Sequence, residues 1–297
     1  MNLAVGFFDG VHLGHRRILA RADAALTFLN HPATVFAPDR VPPLLMPTDV
    51  RLAAIGDALA KRMSVAEPVR ALPFTPELAA LPPDDFAARL RAAYPDLDTV
   101  FCGPNWTYGA HGAGTADTLR VAGFRVETVP FFVLGGEPVS STRIRKALAS
   151  GRLDEATMLL GRPYAVVGAT FSGKGVGRTL GRPTINLRLP KELVQLPLGV
   201  YAVETPLGRG VANYGLAPTL GARAWTEPTL EVHLLDAPSA LTVPKTLSVS
   251  FARFIRREQT FASLPELKEQ IARDVAAAQE QAYFSPSSGT SVSVVEP

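Results

Sequence analysis

The sequence predicts two fold classes in tandem: an α/β domain with a parallel sheet, followed by a mainly antiparallel β-barrel with a C-terminal helix. In the first half, short apolar strand patterns alternate with helical patterns, which is typical of a parallel sheet flanked by helices. In the second half, Gly/Pro turns separate strand patterns, and helical signal is weak until an amphipathic stretch over residues 264–283. The 297 residues accommodate both domains.

The patterns of the first half follow one another in regular order. Strand patterns fall at residues 3–8, 26–29, 99–102 and 125–129. Helical patterns fall at residues 15–25, 49–61, 86–93 and 117–122, and Pro83-Asp84-Asp85 opens the third with acidic residues that suit a helix N-terminus. Because ligands of a parallel sheet bind at the carboxyl ends of its strands, we expect a site there.

The second half is read as a barrel from its strand patterns, which fall at residues 164–171, 199–205, 208–214, 230–235 and 247–254. Residues 143–160 form one or two short helices in this interpretation, so the domain boundary falls near Gly161. The predicted domains are therefore residues 1–160 and 161–284. Residues 285–297 are rich in Ser, Gly and Val, and we expect a disordered tail.

The composition excludes several classes of protein. A chain that is 47% hydrophobic and 19% charged is typical of a folded globular protein. The start carries Asp9 and no basic segment, unlike a secretory signal, and no apolar run approaches the roughly 20 residues of a membrane-spanning helix. The single cysteine, Cys102, excludes an intramolecular disulfide and favours a cytoplasmic location; we expect it to be buried at a strand end.

The charge pattern predicts neither nucleic acid nor a membrane surface as a partner. The net charge is +3 and the sequence pI is near 9.1. However, the Lys and Arg residues are scattered rather than clustered, which indicates a solvated surface.

The first motif of chemical interest is the segment of residues 6–15, which follows a predicted strand and precedes a predicted helix. His12 and His15 are three residues apart, so they share one face at a helix start. Two imidazoles can donate hydrogen bonds to the α-phosphate and departing pyrophosphate of a nucleotidyl transfer. The backbone of this loop is expected to bind phosphate, which makes the candidate nucleotide-binding residues Gly6, Phe7, Asp9, Gly10 and Gly14.

Two other interpretations of the histidines remain open at this stage. The pair could be incidental to a turn. It could also bind a metal with His31 as a third ligand, although no acidic or cysteine partner stands at a typical ligand spacing.

A second phosphate-binding segment is predicted at residues 140–145. Ser and Thr are good N-cap residues, and the hydroxyls of Ser141 and Thr142 could hold a phosphate. Arg143 could then neutralise it with its planar fork of donors. Taken alone, the segment is also compatible with an ordinary helix cap followed by exposed arginines.

The second half contains a separate set of candidate residues for phosphoryl transfer. Thr184 and Asn186 lie two residues apart, so a strand presents both oxygens, which are suitable Mg²⁺ ligands, on one face. Glu231 lies in an alternating strand and could act as a general base, although without further context an ordinary solvent-facing position is the favoured interpretation. A glycine-rich stretch before them could form an anion-binding nest through Gly173, Lys174, Gly175, Gly177 and Arg178.

Together these residues resemble the bacterial bifunctional riboflavin kinase/FAD synthetase family, over nearly the whole chain up to about Tyr283. The matching stretches occur in one order. In the first half they are residues 6–15, 27–28, 31–32, 103, 105, 109 and 140–145. In the second half they are residues 160–164, 177–186, 199–201, 210–213, 218–219, 231–236, 255–256, 258 and 261.

The resemblance implies a nucleotidyltransferase-like, Rossmann-like first domain that adenylylates FMN, and a six-stranded barrel that phosphorylates riboflavin. It implies ATP as co-substrate, Mg²⁺ as cofactor, and FMN, FAD, ADP and pyrophosphate as products or intermediates; it leaves the oligomeric state open. It assigns to the ATP and FMN site His12, His15, Asn105, Ser141, Thr142 and Arg143. It assigns Thr184 and Asn186 to Mg-ATP, Glu231 to activation of the ribityl 5′-hydroxyl, residues 173–177 to the phosphates, and the region of Arg256 to the flavin.

Departures from the family pattern keep alternatives open. Only eleven residues separate His15 from Thr27, where the family has a longer helix and strand. Leu29-Asn30 replaces an acidic residue and a proline, and Arg182 replaces an aromatic residue. The alternatives are a riboflavin kinase with a degenerate first domain, or a non-catalytic flavin- or nucleotide-binding protein. An aminoacyl-tRNA synthetase would share a His-x-Gly-His loop but would need a Lys-rich partner loop, which the sequence lacks.

Overall fold

The computed structural model describes residues 1–60, 65–171, 184–216, 228–235 and 242–279. Within them the chain packs into two compact units. The first unit comprises residues 1–149, 155–162 and 191–194, and the second comprises residues 150–154, 163–190 and those from 195 onward.

Strands and helices alternate through the first 160 residues, as the sequence predicts. The strands are β1 (Asn2–Val5), β2 (Ala24–Phe28), β3 (Val69–Leu72), β4 (Thr99–Cys102), β5 (Thr107–Tyr108), β6 (Gly114–Thr115), β7 (Arg125–Thr128), β8 (Val133–Leu134) and β9 (Glu137–Pro138). The helices are α1 (Leu13–Leu19), α2 (Ala33–Phe36), α3 (Thr48–Ala58), α4 (Pro76–Ala79), α5 (Pro83–Ala93), α6 (Ala116–Val121), α7 (Ser141–Ala149) and α8 (Leu153–Leu160), with 3-10 turns at Pro38–Arg40 and Ala110–Gly112.

The central sheet of the first unit has the order β3-β2-β1-β4-β7, and every pair is parallel. Successive residues of β1 are buried on opposite faces: Leu3 and Val5 pack in one core cluster, and Ala4 packs in the other. Both faces are therefore covered, as a parallel sheet requires. The chain order reverses between β1 and β4, so the loops that follow these two strands meet at the topological switch point where ligands bind.

The connection from β1 to β2 is short, yet it builds a regular parallel pair. Helix α1 has only seven residues, and β2 pairs with β1 from Leu3↔Ala24 to Val5↔Leu26. The backbone amide of Asn2 donates to Asp23 Oδ2 at 2.8 Å, which joins the starts of the two strands. The abbreviated crossover therefore preserves the fold.

Three differences between the structure and the predicted elements concern the central sheet of this unit. The helix predicted over 15–25 ends at Leu19, because Ala24 and Ala25 are buried in β2 and tertiary packing overrides the helix propensity of alanine. The strand predicted over residues 3–8 ends at Val5. The edge strand β3 is absent from the predicted set; its side chains are only partly covered and its pattern is short.

The second unit is a closed barrel of antiparallel strands, which confirms the predicted fold class. The strands are β10 (Tyr164–Phe171), β11 (Thr184–Arg188), β12 (Gly199–Thr205), β13 (Gly208–Gly215), β14 (Thr229–Leu234) and β15 (Thr246–Arg257). They close in the order β10-β11-β14-β13-β12-β15. The inward positions of β14, Leu230, Val232 and Leu234, have no solvent exposure, so the alternate positions face outward.

The C-terminal helix α9 (Leu264–Gln279) packs on the outer face of this barrel, where Val200, Val211 and Ala278 share a hydrophobic cluster. Two arginines of β15 hold it. Arg256 forms a bidentate ion pair with Asp274, with hydrogen bonds of 2.8 Å to both carboxylate oxygens. Arg253 donates to the carbonyl oxygen of Ala277 at 2.6 Å.

Two expectations from the composition can be compared with the structure. Cys102 is buried at the end of β4, as predicted, and burial raises the pKa of its thiol. Among the described residues, no helix has the length and apolar character needed to cross a membrane.

The buried ion pair between Arg256 and Asp274 should stabilise the barrel by fixing α9. Replacing Asp274 with alanine leaves the Arg256 charge buried without its partner, and we expect the free energy of unfolding to fall by about 3 kcal/mol. Glu269→Ala is the matched control on the same helix, because Glu269 pairs with Arg273 in solvent and should contribute less than about 1 kcal/mol. Calorimetry of the purified variants measures both; equal effects would contradict the assignment.

Candidate active sites

The loop between β1 and α1, residues 6–12, brings the two histidines together at the switch point. His12 is the N-cap of α1, and its Nδ1 accepts from the backbone amide of His15 at 3.3 Å. The two imidazole rings stack with centroids 3.5 Å apart. The predicted shared face at a helix start is therefore present. We call residues 6–12 the histidine loop.

Both histidines are neutral at physiological pH. Burial lowers the pKa of His12 to about 3, with a further contribution from the charges of Arg162 and Arg145. Burial also lowers the pKa of His15 well below its usual range. Because His12 Nδ1 is an acceptor, its ring proton resides on Nε2, which makes that nitrogen a hydrogen-bond donor. His15 Nδ1 is buried without a hydrogen-bond partner within the described part of the chain.

Asp9 organises the neighbourhood of the histidine loop through its side chain. Its carboxylate accepts from the amide of Leu45 at 3.0 Å and pairs with the guanidinium of Arg145, whose Nε also donates to the carbonyl oxygen of Pro43. The Leu44 backbone in turn pairs with residues 191–194. Asp9 was predicted to bind nucleotide, but its carboxylate is occupied by these internal partners.

Arg51 is a fully buried cation that fixes the other end of the loop. Its guanidinium donates to the carbonyl oxygens of Phe7 at 2.8 Å and Phe28 at 2.6 Å, and it lies 4.1 Å from the centroid of the Phe7 ring. Burial lowers its pKa to about 10, so it retains its charge. No local pattern in the sequence indicates this role, because the contacts span more than twenty residues.

The segment of residues 140–145 begins α7 and meets the histidine loop through Ser141 and Arg145. Ser140 Oγ caps the helix by accepting from the amide of Arg143, and Ser141 Oγ donates to the carbonyl oxygen of Asp9 at 2.9 Å. Thr142 is exposed. The guanidinium of Arg143 is bound to Glu155 at 3.1 Å and to the carbonyl oxygen of Leu134.

Arg145, rather than Arg143, is the arginine of α7 beside the histidines. Its charge contributes to the lowered pKa values of His12, His15 and His31, and it contacts Asp9 directly. The sequence predictions named Arg143 and not Arg145. Because residues two positions apart on a helix lie on different faces, the two arginines cannot have the same neighbours.

An aromatic cavity of about 570 Å³ opens at the carboxyl ends of β1 and β2. Gly6 and Asn105 contribute to its wall, and Asn105 is exposed. Its aromatic lining, which the sequence reasoning did not identify, comprises Phe7, Phe28, Phe36, Phe74, Phe86, Trp106 and Tyr108. A cavity lined mainly by aromatic rings is suited to a flat, largely apolar ring system.

Asn30, which departs from the family pattern, holds one wall of this cavity. Its side-chain amide pairs with the backbone of Phe74 in both directions: Oδ1 accepts from the Phe74 amide at 2.8 Å, and Nδ2 donates to the Phe74 carbonyl oxygen at 3.0 Å. The Phe74 ring packs edge-on against Phe28 and Phe36. The substitution therefore has a structural function in this chain.

The metal interpretation of the histidines finds no support in the described residues. His31 Nδ1 accepts from the amide of Ala33 at 3.0 Å, and the ring packs edge-on against Phe7. No group of three or more His, Cys, Asp or Glu side chains within the described ranges has a metal-binding arrangement.

In the barrel, Glu231 lies at the centre of a polar row on the outer face. It pairs across the sheet with Asn186 of β11 on one side and with Asn213 of β13 on the other. Thr184 lies two residues before Asn186, on the same face, opposite His233. Directly opposed residues project from the same face of a sheet, so the predicted residues Thr184, Asn186 and Glu231 are adjacent.

The surroundings of Glu231 suit a proton acceptor. Burial raises the pKa of its carboxyl above the usual range. A second carboxylate is close to the same row: a Cβ added to Gly215 would lie 2.1 Å from Glu258 Oε1 and 3.2 Å from Asn213 Nδ2. Asn213 and Glu258 lie in stretches that match the family but were not predicted as site residues.

Two further predictions for the barrel concern Arg256 and the phosphate-binding stretch. The guanidinium of Arg256, predicted near the flavin, is occupied by Asp274 and by the carbonyl oxygen of Arg257. The predicted phosphate-binding residues Gly173, Lys174, Gly175, Gly177 and Arg178 lie outside the described residues.

A parallel α/β unit with a histidine pair at its switch point, joined to a barrel with an acid–amide row, defines a two-module transferase. Family models identify the modules: the FAD synthetase model matches residues 1–143, and the riboflavin kinase model matches residues 160–282. The chain belongs to the bifunctional riboflavin kinase/FMN adenylyltransferase family. The match of the first module supports the bifunctional interpretation over a kinase with a degenerate first domain.

Relatives with this name align with nearly the whole chain. The protein of Escherichia coli strain K12 is 37% identical, over 94% of this chain and 91% of its own length. Those of Pseudomonas fluorescens and Bacillus subtilis are 35% and 31% identical, over 93% and 92% of this chain and 91% and 89% of their own lengths.

A solved structure from Streptococcus pneumoniae, described as a macrolide-efflux protein, shares the fold. It has a TM-score of 0.80 at 26% sequence identity and covers 95% of this chain and 94% of its own. The fold similarity is consistent with the family, and the efflux description applies to that protein.

The neutral histidines predict how the stability of the chain depends on pH. The pKa of His12 is about 3 in the folded chain and about 6.5 when unfolded, so below pH 6.5 the unfolded state binds a proton that the folded state does not. Stability therefore falls as the pH decreases from 6.5, by roughly 1.4 kcal/mol per pH unit for this residue, and is unaffected above 6.5.

Urea unfolding of His12→Gln and the unmodified chain between pH 7 and about 3 measures this slope. The variant should lose stability less steeply with acid. His31→Gln is the comparison, because the pKa of His31 is about 4 and its contribution should end at a higher pH. Parallel curves for His12→Gln and the unmodified chain would contradict a buried neutral His12.

Removing the Asn30 side chain should weaken the cavity wall. Asn30→Ala leaves the amide and carbonyl of Phe74 without these partners, and we expect the free energy of unfolding to fall by about 1–2 kcal/mol. Asn30→Asp keeps the acceptor and loses the donor, so it should be intermediate. Thr48→Ala is the control, because its hydroxyl makes an exposed hydrogen bond that does not involve Asn30. Equal stability of Asn30→Ala and Thr48→Ala would refute this role.

Proposed function

We propose that the chain makes FAD from riboflavin in two ATP-dependent transfers. The barrel phosphorylates the ribityl hydroxyl of riboflavin to give FMN and ADP, and the α/β unit transfers an adenylyl group from ATP to FMN with release of pyrophosphate. Family membership supports both reactions and ATP as their co-substrate. The observation that carries the proposal is that each unit has a matched site of its own: the histidine pair beside the aromatic cavity, and the row centred on Glu231.

In the adenylyl transfer, a phosphate oxygen of FMN attacks the α-phosphorus of ATP, and the bond to the β-phosphate oxygen breaks. The protein has to align the two reactants and offset the charge that develops on the transferred group and on pyrophosphate. Neutral His12 donates from Nε2, and its neighbour His15 is the second donor. Arg145 contributes positive potential at the same edge of the sheet.

The flavin ring of FMN is assigned to the aromatic cavity. Stacked and edge-on rings such as Trp106 and Tyr108, with centroids 5.0 Å apart, provide flat apolar walls. Asn105 supplies a polar group at the wall for the polar edge of the ring. The cavity adjoins the histidine loop, because Gly6 and Phe7 belong to both. With the flavin ring in the cavity, the phosphate of FMN would lie close to the histidines.

In the barrel, Glu231 is the proposed general base. It takes the proton of the ribityl 5′-hydroxyl as that oxygen attacks the γ-phosphorus of ATP, and its raised pKa makes it a better acceptor than an exposed carboxylate. The oxygens of Thr184 and Asn186 fit Mg²⁺, which prefers hard oxygen ligands and here would be completed by ATP phosphates and water. When bound, Mg²⁺ neutralises phosphate charge.

The remaining assignments follow from the resemblance and stay proposals. Ser141, Thr142 and Arg143 are assigned to the nucleotide of the first site, and Arg256 to the flavin of the second. A boundary near Gly161 agrees with the start of the kinase match at residue 160. The lone buried cysteine supports a cytoplasmic location.

The experiment that tests the proposal is chromatography of flavin products after incubation with ATP and Mg²⁺, from riboflavin and, separately, from FMN. The unmodified chain should give FMN and FAD from riboflavin. Glu231→Gln should form FMN at least about 100-fold more slowly and still convert supplied FMN to FAD. His12→Asn should have the opposite defect.

Each outcome is informative for one half of the proposal. Undiminished FMN formation by Glu231→Gln would exclude it as the base. FMN without FAD from the unmodified chain would limit the function to riboflavin kinase, and binding of flavin without any product would favour a binding protein.

A further inference from the structure

Arg162 holds the histidine loop from a position that the sequence assigns to the other module. It follows α8 by two residues and lies within the match to the riboflavin kinase model. Its Nη2 donates to the carbonyl oxygen of Gly10 at 2.7 Å, and its Nη1 donates to that of Val11 at 3.1 Å. By packing, residues 155–162 belong to the first unit.

The two carbonyl groups lie at the most constrained part of the loop. Gly10 has φ 81° and Val11 has φ 40°, which is unfavourable for a β-branched residue. Such a conformation persists only where the surroundings enforce it. The hydrogen bonds of Arg162 hold the backbone in this conformation directly before His12, so they determine the position of this histidine.

The residue before Arg162 lies close to α1, directly after the same loop. Gly161 has φ 71°, and a Cβ there would lie 2.5 Å from Leu13 Cδ2 at the start of α1. Leu160 is buried, and its carbonyl oxygen also accepts from Arg162 Nη1 at 3.3 Å. Gly161 therefore packs against the start of α1, and Arg162 bonds both to the histidine loop and to the carbonyl oxygen of Leu160.

The charge of Arg162 remains uncompensated by a carboxylate among the described residues. Burial lowers its pKa to about 10, so it is still a cation at neutral pH, and its acceptors are carbonyl oxygens. The same charge helps to keep His12 neutral. A half-buried cation without an anionic partner is costly, and it suits a loop that receives a polyanion.

We propose that Arg162 is a positioning residue of the adenylyl-transfer site and that the barrel does not use it for riboflavin phosphorylation. Its guanidinium fixes the Gly10 and Val11 carbonyl groups and thereby orients His12 toward the ATP phosphates. This inference rests on the adenylyltransferase function proposed for the first unit.

The test compares Arg162→Met, Arg162→Lys and the unmodified full-length chain in both reactions. The methionine side chain keeps much of the apolar stem and loses the charge and the fork. We expect kcat for FMN adenylylation to fall about 100-fold, since a displacement of about 1 Å at a catalytic group has this effect. The KM for FMN should stay within about three-fold, because Arg162 does not line the aromatic cavity.

Lysine should recover about ten-fold of the loss, because it restores the charge without the two-donor fork. Kinase kcat should be unchanged in both variants. Arg21→Met is the matched control, because Arg21 is about half exposed and pairs with Glu127 in solvent; both of its activities should equal those of the unmodified chain.

Hydrogen exchange of residues 6–14 provides a readout that does not depend on activity. Faster exchange confined to this segment in Arg162→Met, with an unchanged unfolding midpoint, supports positioning. If the methionine variant does not fold, the same kcat, KM and exchange measurements on Arg162→Lys decide.

The proposal is overturned if kinase kcat falls while adenylylation is preserved, if adenylylation by the folded variants equals that of the unmodified chain, or if kcat and KM change together with global loss of stability. If the unmodified chain adenylylates no FMN, the proposed function has failed. In that case unchanged exchange at residues 6–14 would overturn positioning as well, and locally faster exchange would retain it.

Discussion

The first unit depends on the way buried cations hold backbone carbonyl groups around the histidine loop. Arg51 binds the carbonyl oxygen of Phe7 at one end, and Arg162 binds those of Gly10 and Val11 at the other. Arg145 reaches the loop through Asp9. Three guanidinium groups thus surround a loop that carries neutral His12 and one acidic side chain, with neutral His15 stacked on His12 from α1. The resulting excess of positive charge both shapes the loop and creates a positive potential there, as the proposed phosphate binding requires, so architecture and electrostatics have the same origin.

In the barrel the governing constraint is the two-residue period of the strands. Leu230, Val232 and Leu234 fill the interior, so Glu231 is placed on the outer face with Asn186 and Asn213 beside it. The outer face is otherwise covered in part by α9, which the Arg256–Asp274 pair fixes to β15. One alternating pattern therefore produces a closed core and a polar row at the same time, without a separate loop to carry the acid.

What the sequence predicts well is what short-range patterns determine. The alternation of strand and helix patterns gave the fold class of the first unit, strand patterns separated by turns gave that of the second, and the period of two put Thr184 and Asn186 on one face. The spacing of His12 and His15 gave their shared position at a helix start. What it missed depends on contacts between distant residues: the aromatic cavity is assembled from several loops, and Arg51, Arg145 and Arg162 act on a loop far away in sequence. The extended helix at 15–25 and the missed edge strand β3 have the same cause, since burial in the sheet, rather than local propensity, decides both.

The brevity of α1 has a consequence for how the site comes into existence. A helix of seven residues is far below the length at which isolated helices persist in water, and its nucleation is unfavourable. It is therefore stabilised by tertiary contacts, among them the contact between Leu13 and Gly161. The stacked imidazoles consequently depend on the folded unit. A nascent or partly folded chain would present two unconnected histidines, and chemical competence would arise together with the finished tertiary structure.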